Sequence, residues 1–160
     1  MKIRKSALFL AAAISFPVMN AATVSADAGV NVGSLNCTVE GGIGLILGSS
    51  KGMECVFYPA GGSGPEYYVG SVKKFGIDIG VTNEAFVAWL VFAPGTLDPD
   101  ALEGSYIGAT AQATLGLGLG ANVLIGGFEK SIALQPVSLQ GQTGLNVAAG
   151  IGWMDLEYAR

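Results

Sequence analysis

The sequence predicts an all-β domain: a small antiparallel β-barrel or β-sandwich of about eight strands with short loops and one disulfide. Three observations predict it. Apolar residues recur at every second position through most of the chain, which is the period of pleated backbone. Helix signals are scarce, since no long stretch combines apolar residues at i, i+3, i+4 and i+7 with matching caps. Two cysteines, Cys37 and Cys55, form an even pair.

The N-terminal stretch sets the domain boundary. Lys2, Arg4 and Lys5 precede an apolar run from Ser6 to Val18, and small residues around Val24–Ala28 offer a cleavage site. This reads as a secretory signal peptide over residues 1–26, leaving residues 27–160 as a single β-domain. A membrane anchor would need a longer apolar run without Pro17. The expected location is therefore exported and periplasmic, with the outer membrane as the alternative. Without the three leading basic residues, five basic residues face twelve acidic ones. No basic stripe remains, so nucleic acid is excluded as an expected partner. Anionic lipid surfaces are disfavoured on the same ground.

Export makes a Cys37–Cys55 disulfide the expected state of the pair. Closing that loop would stabilise the fold by roughly 3 kcal/mol on the chain-entropy model. A zinc site is not expected, because two thiolates need further ligands and the chain has no histidine.

The elements follow in order. "GSLNCTVE" places Leu35, Cys37 and Val39 on one face. After Gly41-Gly42 comes "IGLILGS", then the turn "SSKG", then the strand "MECVFYP" with Cys55 and Phe57 on a shared face. Both cysteines thus fall mid-strand on inward faces. "AGGSGP" at 60–65 is a loop. "EYYVGSVKKFGIDIGVT" supplies one or two strands, and Lys73 and Lys74, being adjacent, point to opposite faces. "AFVAWLVFAP" suits a buried central strand or a short core helix; Val87, Trp89 and Val91 favour the strand and Pro94 closes it. "GTLDPDALEG" is turn-rich, with one helical turn expected after Asp98.

From Ala109 to Gly127, odd positions are apolar while even ones are mostly polar or glycine. This predicts one long strand, or two joined by a bend. Gly116, Gly118 and Ala121 also spell a dinucleotide fingerprint. That reading fails, because no acidic residue lies between Glu129 and Asp155 to hold a ribose and no capped helix follows. The glycines are expected to allow curvature or to seat aromatic rings from a neighbour. Further on, the apolar phase changes at Pro136 and again near Trp153, so a bulge is expected at each.

The blocks "CTVEGGIGLILGSSKGMECVFYP", "GIDIGVT", "GSYIGATAQATLGLGLGANVLIGG" and "SIALQPVSLQGQTGLNVAAG" resemble the exported bacterial family called domain of unknown function 992. The resemblance covers nearly the whole of residues 27–160. It implies a Gram-negative envelope protein and implies no activity or catalytic residue.

No catalytic constellation is expected. A hydrolytic triad needs an imidazole base, and a cysteine nucleophile needs a free thiol. Asp98, Asp100 and Glu103 are close in sequence but sit in a turn-rich loop, where solubility explains them. No metal ligands and no cofactor are expected. The amides Asn122, Gln135, Gln142 and Asn146, with Gln140, are uncharged hydrogen-bonding groups within apolar strands. Buried amides need partners. They serve either to tie loops and bulges to the sheet or to face a ligand in a cavity.

Three functions are compatible with these features. The first is a non-catalytic periplasmic envelope protein that binds an apolar or amphipathic small molecule, a lipid or another envelope component. The second is a small eight-stranded outer-membrane barrel; the continuous "FVAWLVF" run, the disulfide and the lack of aromatic girdles stand against it. An enzyme with an unrecognised site ranks third.

Overall fold

The computed structural model describes residues 29–44, 50–74, 80–82, 84–109, 118–120, 122–137 and 151–160. Ten strands occur among them: β1 (Val30–Val39), β2 (Gly42–Gly44), β3 (Ser50–Pro59), β4 (Glu66–Lys74), β5 (Gly80–Thr82), β6 (Ala85–Ala93), β7 (Gly104–Gly108), β8 (Leu124–Gly126), β9 (Ile132–Val137) and β10 (Ile151–Tyr158). Eight of them close into a barrel in the order β1-β3-β4-β10-β7-β8-β9-β6, and β2 pairs with β5 in a separate two-stranded sheet. Every pairing is antiparallel. The barrel, rather than the sandwich, is the architecture formed.

The topology divides into two equal motifs. In the first, β1, β3 and β4 follow one another and β6 returns beside β1. In the second, β7, β8 and β9 follow one another and β10 returns beside β7. Each has the spatial order of a Greek key. The barrel closes where β4 meets β10 and where β9 meets β6. The segment from Pro94 to Glu103 links the two keys.

Alternation sends the apolar set inward. Leu35, Cys37 and Val39 from β1 meet Met53, Cys55 and Phe57 from β3, and Val87, Trp89, Val91 and Ala93 from β6, all buried. "AFVAWLVFA" is thus a strand, and Pro94 follows its last residue. An eight-stranded barrel is just wide enough for side chains to fill it, and this one is filled by apolar side chains. Among the described residues, the indole N–H of Trp89 is the buried side-chain donor without a partner. Cys37 and Cys55 lie directly opposite in the β1–β3 register and are bridged, with a Cα–Cα distance of 4.1 Å. That is close to the separation of a non-hydrogen-bonded antiparallel pair, so the bridge links strands already in register.

Four sequence expectations need correction. The alternating glycine tract does not continue as strand into Gly118–Gly120 or Asn122: Gly118 (φ 69°) and Asn122 (φ 61°) take left-handed backbone, which makes a turn before β8. That turn reverses the phase, so Leu124 faces inward and Ile125 does not. Among the described residues no aromatic ring seats on Gly118 or Gly120 either; a side chain at Gly120 would meet the amide of Gln135. Pro136 keeps the inward phase of Ile132 and Leu134, and its register with β6 is unbroken, so there is no bulge there. The proline lies past the last described β8–β9 pair, Leu124–Leu134, where its missing N–H has no ladder to interrupt on that side. The expected bulge near Trp153 does occur, but one residue earlier. Register with β4 shifts between Ile151 and Trp153, turning Trp153 outward beneath the Lys73 ammonium, 4.7 Å from its ring centroid. Finally, the segment after Asp98 forms two successive turns, Ala101 N–H to Asp98 O and Glu103 N–H to Asp100 O. Asp100 at φ 66° prevents a helix. Residues 1–26, Ile77, Ile79, Gly116, Gln140, Gln142, Asn146 and the Leu145–Ala149 alternation lie outside the described residues.

Candidate functional site

Two concave surfaces stand out, and neither is the barrel interior. The first is a groove of about 480 Å³ on the outer wall of the first Greek key. Register places its side chains in rows. Phe86, Thr38, Glu54 and Val69 follow one another across β6, β1, β3 and β4. In the next row Ala88, Asn36, Val56 and Tyr67 do the same, and Tyr58 stands one step further along β3. The floor is made of short side chains on β1 and β3; Phe86 rises on one side and Tyr67 on the other. Three strand spacings separate these walls, about 14 Å between backbones.

Phe86 is 62 % exposed and Tyr67 is 56 % exposed. Rings this open on a filled barrel contribute nothing to its core. Contiguous exposed apolar surface of this kind marks interaction sites. Asn36, Thr38 and Glu54 place amide, hydroxyl and carboxylate groups between the rings. The groove is therefore amphipathic, and its volume lies within the range of small-molecule sites.

The second surface is a pocket of about 210 Å³ at one mouth of the barrel, between the loop around Ala60–Ser63 and the Pro94–Glu103 link. Val30, Val32, Phe57, Pro59 and Leu97 give it apolar walls. Glu66 also lines it. Glu66 pairs with the buried Phe57 across β3 and β4, so it points to the inside of the barrel at its rim. The Tyr68 hydroxyl donates to Glu66 Oε2 at 2.6 Å. Burial raises the Tyr68 phenol well above its ordinary value, and the hydrogen bond and negative charge of Glu66 push it the same way. The Tyr106 hydroxyl donates to Leu102 O at 2.8 Å, and burial raises that phenol too. Leu102, fully buried, plugs the barrel at this end. Glu103 Oε2 accepts from the Tyr158 N–H at 3.1 Å, tying the link to β10. Tyr158 stacks edge-on against Tyr68 with ring centroids 5.5 Å apart.

The amides singled out in the sequence fall elsewhere. Gln135 is half-buried, and its Oε1 accepts the Gly120 N–H at 2.7 Å, so it ties the glycine turn to β9. Asn122 is exposed in that same turn. Neither lines either concave surface. Among the described residues, no group of three or more His, Cys, Asp or Glu could hold a metal ion.

Sequence reasoning missed both surfaces, although the parity of the strands carries their signal. Adjacent residues in a strand face opposite sides. Phe57-Tyr58 and Tyr67-Tyr68 must therefore each send one ring outward, and Phe86 is out of phase with Val87, Trp89 and Val91.

Residues 16–157 match the model of a family described as "Protein of unknown function (DUF992)". The chain belongs to this family. The match spans the mouth pocket, both Greek keys except Tyr158, and the outer groove except Ala159. No curated protein and no solved structure matches the chain. The family description names no activity; in this chain the structure places a barrel, a disulfide and two concave surfaces.

Proposed function

We propose that this member of the family is a non-catalytic, exported β-barrel of the cell envelope that holds an apolar or amphipathic molecule in its outer aromatic groove. The observation that carries the reading is the exposure of Phe86, Tyr67 and Tyr58 around a polar floor on a barrel whose interior is already filled. Tyrosine suits an amphipathic ligand, with an apolar ring and a polar tip. The leader-like residues 1–26 and the disulfide support export to an oxidising compartment.

An outer-membrane barrel is the competing reading. Such barrels face apolar side chains to lipid and carry a polar interior. Here the interior is apolar, with Leu35, Phe57, Trp89 and Leu134 inside. Glu54, Asp155 and Glu157 stand opposite Val69, Ser105 and Val69 respectively in the register of the outer wall. This supports a barrel bathed in water.

The test is native mass spectrometry of the protein purified from the envelope without denaturation. The wild type should retain an amphiphile, and the Tyr67→Ala/Phe86→Ala double variant should retain at least tenfold less while keeping its β circular dichroism. Wild-type protein carrying no molecule, or a double variant carrying as much, would contradict the proposal.

A further inference from the structure

We propose that the occupant of the outer groove is a short, uncharged oligosaccharide made of pyranose rings with equatorial substituents. The inference rests on the reading of that groove as a binding site, and names the class of molecule it takes. Three observations favour a sugar over an alkyl chain. The first is openness. Phe86, Tyr67 and Tyr58 all stay exposed around a groove set on the outside of a closed barrel. A hydrocarbon chain lying there would keep one side in water and forfeit much of the gain from burying its methylenes. A pyranose forfeits less, because its hydroxyls stay hydrated around the edge while one face is covered.

The second observation is where the polar groups stand. An amphiphile keeps its polar head apart from its apolar tail, and here the two kinds of group are interleaved. Thr38 and Glu54 face each other across β1 and β3 in the row that holds Phe86, and Asn36 lies in the row that holds Tyr67. Asn36 and Glu54 are exposed and Thr38 is half-buried. They offer an amide, a hydroxyl and a carboxylate, hence both donors and acceptors. Sugar hydroxyls need both. The faces of aromatic rings carry partial negative charge. They attract the axial C–H hydrogens that cover both faces of an equatorially substituted pyranose.

The third observation is charge. Glu54 is the one charged residue lining the groove, and no lining residue is basic. An anionic sugar or a phosphate headgroup would meet a carboxylate and no cation, and like charges oppose binding. The span of the groove sets the length of the ligand. Three strand spacings, about 14 Å, separate the backbones beneath Phe86 and Tyr67. A single pyranose cannot reach both walls, so the ligand has more than one ring.

Cellotriose, glucose and the sugar-free surfactant octyl tetraethylene glycol, kept below micelle formation, discriminate the proposal. Each would be titrated into the mature, disulfide-bonded protein and followed by aromatic NMR. Cellotriose should shift Tyr67 and Phe86 saturably and bind at least tenfold more tightly than glucose. Phe86→Ala and Asn36→Ala, both at exposed positions, should each weaken cellotriose binding at least threefold with the β circular dichroism intact. Cellotriose binding no tighter than glucose, or unchanged in both variants, would overturn the proposal. Surfactant shifts at Tyr67 and Phe86 without cellotriose binding would overturn the sugar and leave the groove an amphiphile site. No shift at these rings with any of the three would overturn both readings.

Discussion

Reducing the Cys37–Cys55 bridge isolates one contribution to the fold with little change in shape. The two thiols would occupy nearly the volume of the disulfide, at positions that are 3 % and 2 % exposed, so packing changes little. What changes is the unfolded chain. The bridge closes a loop with a sequence separation of 18. Chain entropy then assigns it about 3 kcal/mol at room temperature. A urea slope of about 1.5 kcal/mol/M for a domain of this size converts that into a midpoint shift of about 2 M. The assay is urea unfolding of oxidised and reduced protein in parallel, read by tryptophan fluorescence, because Trp89 lies in the core. The reduced protein should unfold first, with a slope equal to or slightly steeper than the oxidised one because its unfolded chain is less compact. Equal midpoints would refute the reasoning, as would two titratable thiols in the folded, unreduced protein.

Two further outcomes follow from the barrel wall and its mouth. A Cβ at Gly70 would lie 1.9 Å from the Asp155 carbonyl oxygen, so Gly70→Ala should force β4 from β10 and cost about 1–3 kcal/mol; thermal unfolding that matches the wild type would contradict the close approach. The Tyr68 and Tyr106 phenols have raised proton affinity in the folded state. Their stabilisation is complete below the ordinary tyrosine value of about 10 and is lost as pH rises beyond it. Stability measured by denaturant should therefore fall in that alkaline range, and Tyr106→Phe should lessen the fall; an unchanged alkaline profile in the variant would count against the buried phenol.

The barrel wall was legible where alternation is uninterrupted. Leu35, Cys37 and Val39, then Met53, Cys55 and Phe57, then Val87, Trp89 and Val91 fall inward as their spacing requires. Prediction failed where one residue changes the phase. Asn122 and Gly118 adopt left-handed backbone that apolar alternation does not encode, and Leu124 replaces Ile125 on the inside. The shift before Trp153 was readable only to within a residue, because Gly152 satisfies either phase. Closure of the sheet lay beyond sequence, since pairing of β4 with β10 joins residues far apart in the chain. The functional surfaces were overlooked for a different reason. Strand parity sends one of Tyr67 and Tyr68 outward but does not say which. Glu66 sits in phase with Tyr68 and Val72, which marks it as inward at the start of its strand.

The central claim is that binding occurs on the outer wall and not inside the barrel. Titration with the nonionic amphiphile octyl glucoside below micelle formation, followed by aromatic NMR, tests it most directly. The claim predicts saturable shifts at Tyr58, Tyr67 and Phe86 with the Trp89 resonances unmoved. Shifts at Trp89 with the outer rings unchanged would contradict it.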